Sequence, residues 1–131
     1  MRKRIYIAGP YSGSNIMGIL GNIRNGQKAA AYLMLKGHAV FCPFLDYQLA
    51  LTVYGASLRK NDFQESSMAW VDVSDAVYVV GNWRKSEGTV KEIERANQFD
   101  IPVFYDLIDI TRWSNQSRRK GKGKHGKATT S

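Results

Sequence analysis

One carboxylate lies where a small-residue turn and a helix start would bring it close to a ligand. In the stretch WRKSEGTVKEIERA, residues 83–96, a Trp and two cations precede Ser86 and Gly88, and Glu92 follows four residues after the glycine. A helix that begins here offers free backbone N–H groups and the positive end of its dipole, which favour an anion. Helical side chains lean toward the helix start, so we expect Glu92 to stand close to the bound group.

A second loop rich in Gly and Ser follows the first apolar run of the chain. It is the segment AGPYSGS, residues 8–14, and it contains Gly9, Pro10, Tyr11, Ser12 and Gly13. Together with GNWRKSEG, residues 81–88, it predicts a phosphate-binding loop pair. Taken singly, each feature also fits a plain helix cap, with Ser86 as N-cap and Gly88 relieving packing. A Glu in a first turn is likewise favourable with the dipole alone.

Apolar runs alternate with amphipathic segments along the body of the chain. The runs RIYIAG, HAVFCP, DAVYVVGNW and IPVFYD are typical of buried strands. The segment NIRNGQKAAAYLMLKG predicts a helix, with Ile23, Ala30, Leu33 and Leu35 at roughly helical spacing and an end at Gly37. ASLRKNDFQESSMAWVDVS and EGTVKEIERANQF predict two more helices.

Strands that alternate with helices form parallel sheets with right-handed crossovers. We therefore expect an α/β, three-layer flavodoxin-like (Rossmann-like) domain with a parallel sheet of four to five strands in the order 2-1-3-4. The strand order in this sheet reverses between the first strand and DAVYVV, and ligands bind outside the carboxyl ends of strands at such a point. The two loops of the pair meet there.

Charge divides the chain into a nearly neutral body and a basic end. Residues 113–131 carry six Lys or Arg and no acid, which leaves 13 cations against 11 acids over residues 1–112. We expect one domain over 1–112 and a flexible tail over 113–131, because the Gly, Lys and Ser composition of the tail cannot bury enough surface to order itself. The tail is interpreted as a solubilising end or as a weak contact for nucleic-acid phosphates.

The rest of the composition indicates the cellular compartment and which kinds of site to expect. The single cysteine, Cys42, excludes an intrachain disulfide and favours a reducing compartment. No apolar run is long enough for a signal peptide or a membrane span, so we expect a cytoplasmic protein without membrane contact. No His/Cys/Asp cluster has metal-ligand spacing and no Ser-His-Asp set is apparent, so we expect no metal and no triad.

Several of these motifs occur together, in order, in one known superfamily. YIAGPYSG, GHAVFCP, SDAVYVVGNW and Ser-x-Gly-x-x-x-Glu-x-x-x-Ala resemble the nucleoside 2-deoxyribosyltransferase-like superfamily over about residues 4–104, and its small bacterial and phage members in particular. The resemblance implies a flavodoxin-like fold that acts on the N-glycosidic bond of a nucleoside or nucleotide, without a cofactor. It implies that Glu92 is the nucleophile and that Tyr6 orients Glu92 or the sugar. A carboxylate suits the oxocarbenium-like transition state of this reaction.

The resemblance also assigns binding roles to the loop pair. It implies that Ser86 and Gly88 contact a 5′-phosphate, and it matches Gly9 and Gly13 to the turn after the first strand. Ser12 stands where some relatives carry an arginine, a charge that Arg84 and Lys85 could supply instead.

The sequence departs from the superfamily pattern at the acid that protonates the leaving base. Members usually carry an Asp eight residues before the Asp that opens the third strand, and here Ser67 stands eight residues before Asp75. Ser67 lines the expected site but cannot replace a carboxylic acid. Three other acids stay open as its replacement: Glu65, Asp72 and Asp46. On a helix, the first two face away from Ser67.

The aromatic residues near the loop pair have two interpretations. Trp83 and Trp70 could each stack on a base, or each could pack in the core. Tyr6 could equally be a half-buried strand residue with no role in binding. His38 follows the helix-ending glycine and is interpreted as structural.

The leading hypothesis is an N-glycosidase or N-deoxyribosyltransferase for a nucleoside or nucleoside 5′-monophosphate. The alternative is a non-catalytic nucleotide-binding module of the same fold, in which loss of the Asp has silenced the chemistry. A nucleic-acid accessory protein that acts through its tail is a third, weaker hypothesis.

The apolar stretch FLDYQLALTVYGA, residues 44–56, predicts a homodimer interface beside the site, which could carry Asp46 toward the neighbouring pocket.

Overall fold

Strands and helices alternate along the chain in the computed structural model, which describes residues 2–10, 15–43 and 60–116. The strands are β1 (Arg4–Ala8), β2 (Ala39–Phe41), β3 (Ala76–Val79) and β4 (Val103–Phe104). The helices are α1 (Ile16–Leu35), α2 (Lys60–Asp72), α3 (Glu87–Gln98) and α4 (107–116), with a 3₁₀ turn at Trp83–Lys85.

The four strands form one parallel sheet in the order β2-β1-β3-β4. The central pairing joins β1 to β3 over four residues, from Ile5 opposite Ala76 to Ala8 opposite Val79. The predicted fold class and strand order are therefore confirmed. The topological reversal lies between β1 and β3, so the loops that follow these two strands lie side by side.

Alternate side chains of β1 enter two different cores, one on each face of the sheet. Ile5 and Ile7 pack with Ala29 and Leu33 of α1. Tyr6 and Ala8 lie on the other face, in a cluster that also contains Val71, Ile93 and Ala96 of α2 and α3. A fully buried aliphatic side chain contributes about 1.5–3 kcal/mol. These strand residues, rather than surface ion pairs, therefore hold the three layers together.

Helix α1 begins earlier than its sequence pattern predicts. Its N-cap is Asn15, whose side chain accepts a hydrogen bond from the Gly18 amide at 2.8 Å. The first turns of α1 are largely exposed, although they carry the apolar side chains of Ile16, Met17 and Leu20. At the other end, Gly37 adopts a left-handed φ of 94° and ends the helix as expected.

The expected inner face of α1 is partly wrong. Leu33 is buried, but Leu35 is 85% exposed. Two residues along a helix correspond to a rotation of about 200°, so these two side chains cannot share a face. The inner stripe runs instead through Gly26, Ala29 and Leu33.

Helix α4 extends past the expected end of the folded body at residue 112. Trp113 packs against the α1-side core, where its ring centroid lies 5.4 Å from that of Phe104. The Nζ atom of Lys3 lies over the Trp113 ring, 5.6 Å from its centroid. Ser114 is buried. The expected start of the tail at residue 113 therefore falls inside a packed helix, and residues 117–131 lie outside the described residues.

Two packed helices are joined by a bidentate ion pair. Arg95 of α3 donates two hydrogen bonds of 2.8 Å to the Asp72 carboxylate of α2. The Arg95 guanidinium also lies 4.5 Å from the centroid of the Phe99 ring. This hydrogen-bonded partner lowers the pKa of Asp72 below its ordinary value of 3.8.

We predict that two glycine substitutions change stability in opposite directions. Gly81 has a φ of 72°, and an added Cβ would lie 3.4 Å from Pro10, whereas Gly21 lies in α1 with open space around it. Gly81→Ala should lower the free energy of unfolding by about 1–2 kcal/mol, because L residues are strained in this region. Gly21→Ala should raise it by about 0.5–1 kcal/mol. Urea unfolding measures both, and equal effects would contradict the assigned backbone conformations.

We predict that the Asp72 ion pair makes a small, pH-dependent contribution to stability. Asp72→Asn should lower Tm at neutral pH by about 1–5 °C, a small effect because the pair is partly exposed. A depressed folded-state pKa gives stability that is present above the unfolded pKa and is lost as pH falls through the folded value. The difference between wild type and variant should therefore shrink below about pH 4. Glu94→Gln, on the exposed side of α3, is the control, and a pH-independent difference would refute the linkage.

Candidate functional site

The loops after β1 and β3 meet at the carboxyl edge of the sheet. The Val80 amide donates a hydrogen bond to the Ala8 carbonyl at 2.9 Å, and Gly81 lies against Pro10. Gly9 is buried between them and the sheet. Tyr11, Ser12 and Gly13 lie outside the described residues, so their predicted contacts stay predictions.

Ser86 caps the helix that carries the predicted nucleophile. Its hydroxyl accepts hydrogen bonds from the Thr89 amide at 3.3 Å and from the Thr89 hydroxyl at 2.8 Å. The plain capping role that the sequence left open is therefore real. The cap does not fill the space beside the helix start, because a Cβ added at Gly88 would meet no atom within 4 Å.

Glu92 lies on the inner face of α3, not on its solvent face. Thr89 and Ala96, one turn before and one turn after it, are both buried, whereas Lys91 and Glu94 are exposed. The Oε2 atom of Glu92 is itself buried. An acid that served only the helix dipole would keep both oxygens in water, since burying a carboxylate costs free energy.

Tyr6 lies on the same face of the sheet as α3 and is completely buried, so the interpretation as a half-buried residue is wrong. Its ring stacks on Phe41 at 5.9 Å between centroids, and Phe41 stacks on Trp70 at 4.5 Å. The strand period places Tyr6 beneath α2 and α3 because its neighbours Ile5 and Ile7 point to α1. Trp70 ends this row of rings and is 46% exposed, so it is not a core residue. It lies on α2 and not in either loop of the pair.

Ser67 is buried on the face of α2 that covers the Tyr6 cluster. Val71, one helical turn later, belongs to that cluster. The helix runs toward the amino end of the sheet, and Ser67 lies five residues, or about 7.5 Å, before its last residue. Ser67 therefore lies near the middle of α2, on its buried face.

The acids weighed as replacements for the usual Asp lie elsewhere. Glu65 and Asp72 are exposed, and Asp72 is held by Arg95. Asp75 accepts a hydrogen bond of 2.7 Å from the Arg4 amide at the amino end of β1, the end of the sheet opposite to the loop pair. Asp46 lies outside the described residues, as do residues 44–56 of the predicted dimer interface.

Trp83, in the loop after β3, contacts residues on both sides of the sheet. It is half-buried against the Tyr6 cluster, and its ring lies 5.5 Å from that of Tyr105. The Arg84 guanidinium lies 5.1 Å from the Trp83 ring centroid, so this cation is held beside the site. Lys85 is exposed next to it. His38, by contrast, is buried near the amino edge of the sheet.

A second group of residues was not predicted from the sequence. A pocket of about 380 Å³ opens beside Trp83, on the α1 side of the sheet. Its walls include Asn25, Lys28, Tyr32, Tyr78 and Tyr105. Tyr78 lies near the carboxyl end of β3, and Tyr105 directly follows β4. Their positions at the carboxyl ends of two apolar runs are the sequence signal that could have pointed to this pocket.

The described part of the chain contains neither a group of metal-binding side chains nor a helix that could span a membrane. Within residues 2–10, 15–43 and 60–116, no three His, Cys, Asp or Glu side chains are grouped so that they could hold a metal ion. None of the helices in these ranges is both long and apolar enough to span a membrane.

Comparison with known proteins agrees with this architecture. Residues 3–105 match the family model described as a domain of unknown function, DUF4406. Among solved structures, the chain is similar to a 2-deoxyribosyltransferase from Bacillus psychrosaccharolyticus, with a TM-score of 0.58 and 22% sequence identity over 76% of this chain and 69% of that one. Comparison with curated proteins gives no significant match. The chain belongs to the DUF4406 family, and its fold is similar to that of a 2-deoxyribosyltransferase.

Proposed function

We propose that the protein binds a nucleoside or nucleoside 5′-monophosphate and cleaves its N-glycosidic bond, or transfers the sugar, with Glu92 as nucleophile. The observation that carries this proposal is the position of Glu92. It stands on the buried face of the helix that begins at the loop pair, with Oε2 withdrawn from solvent. The likeness in fold to a 2-deoxyribosyltransferase supports the choice of substrate class.

The proposed reaction passes through a covalent intermediate. A Glu92 oxygen forms a bond to the anomeric carbon, and the C–N bond breaks with its electron pair leaving on the base. Water or a second base then attacks the same carbon and releases Glu92. A carboxylate also stabilises the positive charge that develops on the sugar, more strongly in a partly buried site than in water.

The proposed phosphate position is the start of α3. Gly88 faces open space there, so a phosphate can approach the backbone closely. Arg84 and Lys85 precede the cap and add positive charge to this end of the site. Ser86 would share its hydroxyl between the helix cap and the phosphate.

The leaving base must gain a proton, and the described acids are poor sources. The Arg95 contact lowers the pKa of Asp72, so this carboxyl stays ionised at neutral pH and has no proton to give. Asp75 lies at the wrong end of β3. Asp46, carried by the same chain or by a partner in a homodimer, stays the candidate.

A non-catalytic nucleotide-binding module is the second candidate function. The observation that favours it is Ser67, a buried serine where the superfamily resemblance places an acid. Such a module would bind the same ligands at the same loop pair and would release no base.

We predict that Glu92→Ala abolishes base release and leaves ligand binding and the fold intact. Loss of a nucleophile removes the covalent route and should reduce the rate on the order of 10³-fold or more. The assay incubates the protein with a panel of nucleosides and their monophosphates and detects free base by chromatography. Glu94→Ala, two residues along on the exposed face of α3, is the matched control and should retain full activity.

The outcomes of this assay separate the two candidate functions. Turnover near the wild-type level in Glu92→Ala would refute the nucleophile assignment. Saturable nucleotide binding by the wild type without release of any base would establish the non-catalytic module instead.

We predict that Ser86→Asp separates the capping role from phosphate binding. Asp is as good an N-cap as Ser, so stability should change by less than about 0.5 kcal/mol, whereas Ser86→Ala should lose about 0.5–2 kcal/mol. The added negative charge should weaken binding of the 5′-monophosphate at least about tenfold and leave the nucleoside nearly unaffected. Calorimetric titration measures both ligands. Equal weakening of the two would place the phosphate away from Ser86.

A further inference from the structure

The walls of the pocket on the α1 side come mainly from the face of the sheet opposite to Glu92. Tyr78, in its wall, belongs to the core beneath α1, whereas Glu92 lies on a helix that covers the opposite face. Its volume of about 380 Å³ is in the range of small-molecule sites in proteins, roughly 300–1,000 Å³. It lies at the carboxyl edge of β3, where parallel sheets commonly bind ligands.

Aromatic rings dominate the walls of this pocket. Trp83 and Tyr105 lie 5.5 Å apart at an interplanar angle of 39°, and Tyr32 and Tyr78 face the same space. Trp83 is held from behind by its packing against the Tyr6 cluster. Rings that are already ordered lose little conformational entropy when a flat ligand stacks on them.

Charge is distributed unevenly around the pocket. Lys28 of α1 lies in its wall, and Arg84 lies over Trp83 at 5.1 Å. Burial and the neighbouring Asp106 carboxylate raise the pKa of Tyr78, so this phenol keeps its proton. The Asp106 carboxylate accepts a hydrogen bond of 2.8 Å from the Asp109 amide at the start of α4. An anionic group is therefore favoured at the Lys28 side and disfavoured at the Asp106 side.

We propose that this pocket is a second ligand site, which binds a planar aromatic anion with its ring against Trp83 and Tyr105 and its acidic group toward Lys28. A nucleoside 5′-monophosphate has the matching shape and charge. The proposal does not depend on catalysis by Glu92 and goes beyond the function proposed above.

The position of Trp83 connects this second site to the first. Trp83 opens the 3₁₀ turn that leads into the cap of α3, and the Ser86 amide donates a hydrogen bond of 3.0 Å to the Trp83 carbonyl. A ligand stacked on Trp83 therefore contacts the segment that precedes the helix of Glu92. The Trp83 indole is also a spectroscopic reporter at the pocket itself.

The test titrates the full chain with adenosine 5′-monophosphate, adenosine and inorganic phosphate. Binding is followed by calorimetry and by the NMR signal of the Trp83 indole, which is identified by its loss in Trp83→Phe. We expect a saturable indole shift with the monophosphate, at least about fivefold weaker binding of adenosine, and no indole shift with phosphate alone. Lys28→Gln should weaken the monophosphate about fivefold or more and leave adenosine unchanged, while Tyr105→Ala should weaken both.

Two control variants make the result specific to this pocket. Lys36→Gln removes the same charge from the exposed end of α1 and should leave both affinities unchanged. Ser86→Asp, which should weaken the monophosphate at the start of α3, should leave the indole titration unchanged, because Ser86 does not line this pocket. The proposal is overturned if Lys36→Gln weakens binding as much as Lys28→Gln, if Ser86→Asp abolishes the indole shift, or if no saturable shift occurs up to about 10 mM ligand. None of these results affects the base-release assay, so the two proposals fail separately.

Discussion

The pairing of β1 with β3 is the constraint on which the rest of the structure depends. These two strands are distant in sequence but lie in parallel register over four residues, from Ile5 opposite Ala76 to Ala8 opposite Val79. The pairing places β2 and β4 on opposite outer edges. It also brings the loop after β1 against the loop after β3, where Gly81 adopts a left-handed conformation beside Pro10. A side chain at position 81 would strain the contact through which the two loops meet.

The alternation of side chains along β1 then gives the two faces of the sheet different chemistry. Tyr6 points toward α2 and α3, so the face that carries Glu92 has a buried phenol and a row of stacked rings beneath its helices. Ile5 and Ile7 point the other way and support α1, which supplies Lys28 to the tyrosine-lined pocket. Trp83 takes part in both, because it lies in the turn that leaves the carboxyl edge of β3.

The setting of Glu92 differs from that of the other acids on the neighbouring helices. Asp72 is paired with Arg95, and Glu87 with Lys91 at 3.3 Å, and these partners stabilise the charges at the protein surface. Glu92 lies on the inner stripe of α3, between Thr89 and Ala96, and its Oε2 atom is buried. This inward position of a carboxylate is the physical reason for proposing Glu92 as the nucleophile.

The sequence by itself determined the four strands, their order in the sheet and the presence of the first three helices. Those features depend on local patterns: apolar runs for strands, Gly37 for a helix end, and a Ser-x-Gly turn before an amphipathic helix. Tertiary structure decided which side chains are buried and which residues meet. It placed Leu35 in solvent, drew Trp113 into the core and turned the Oε2 atom of Glu92 inward. It also assembled the pocket of Lys28, Tyr32, Tyr78 and Tyr105 from residues up to 77 positions apart. No local pattern could encode that pocket, because its residues become neighbours only when α1 packs across the strands.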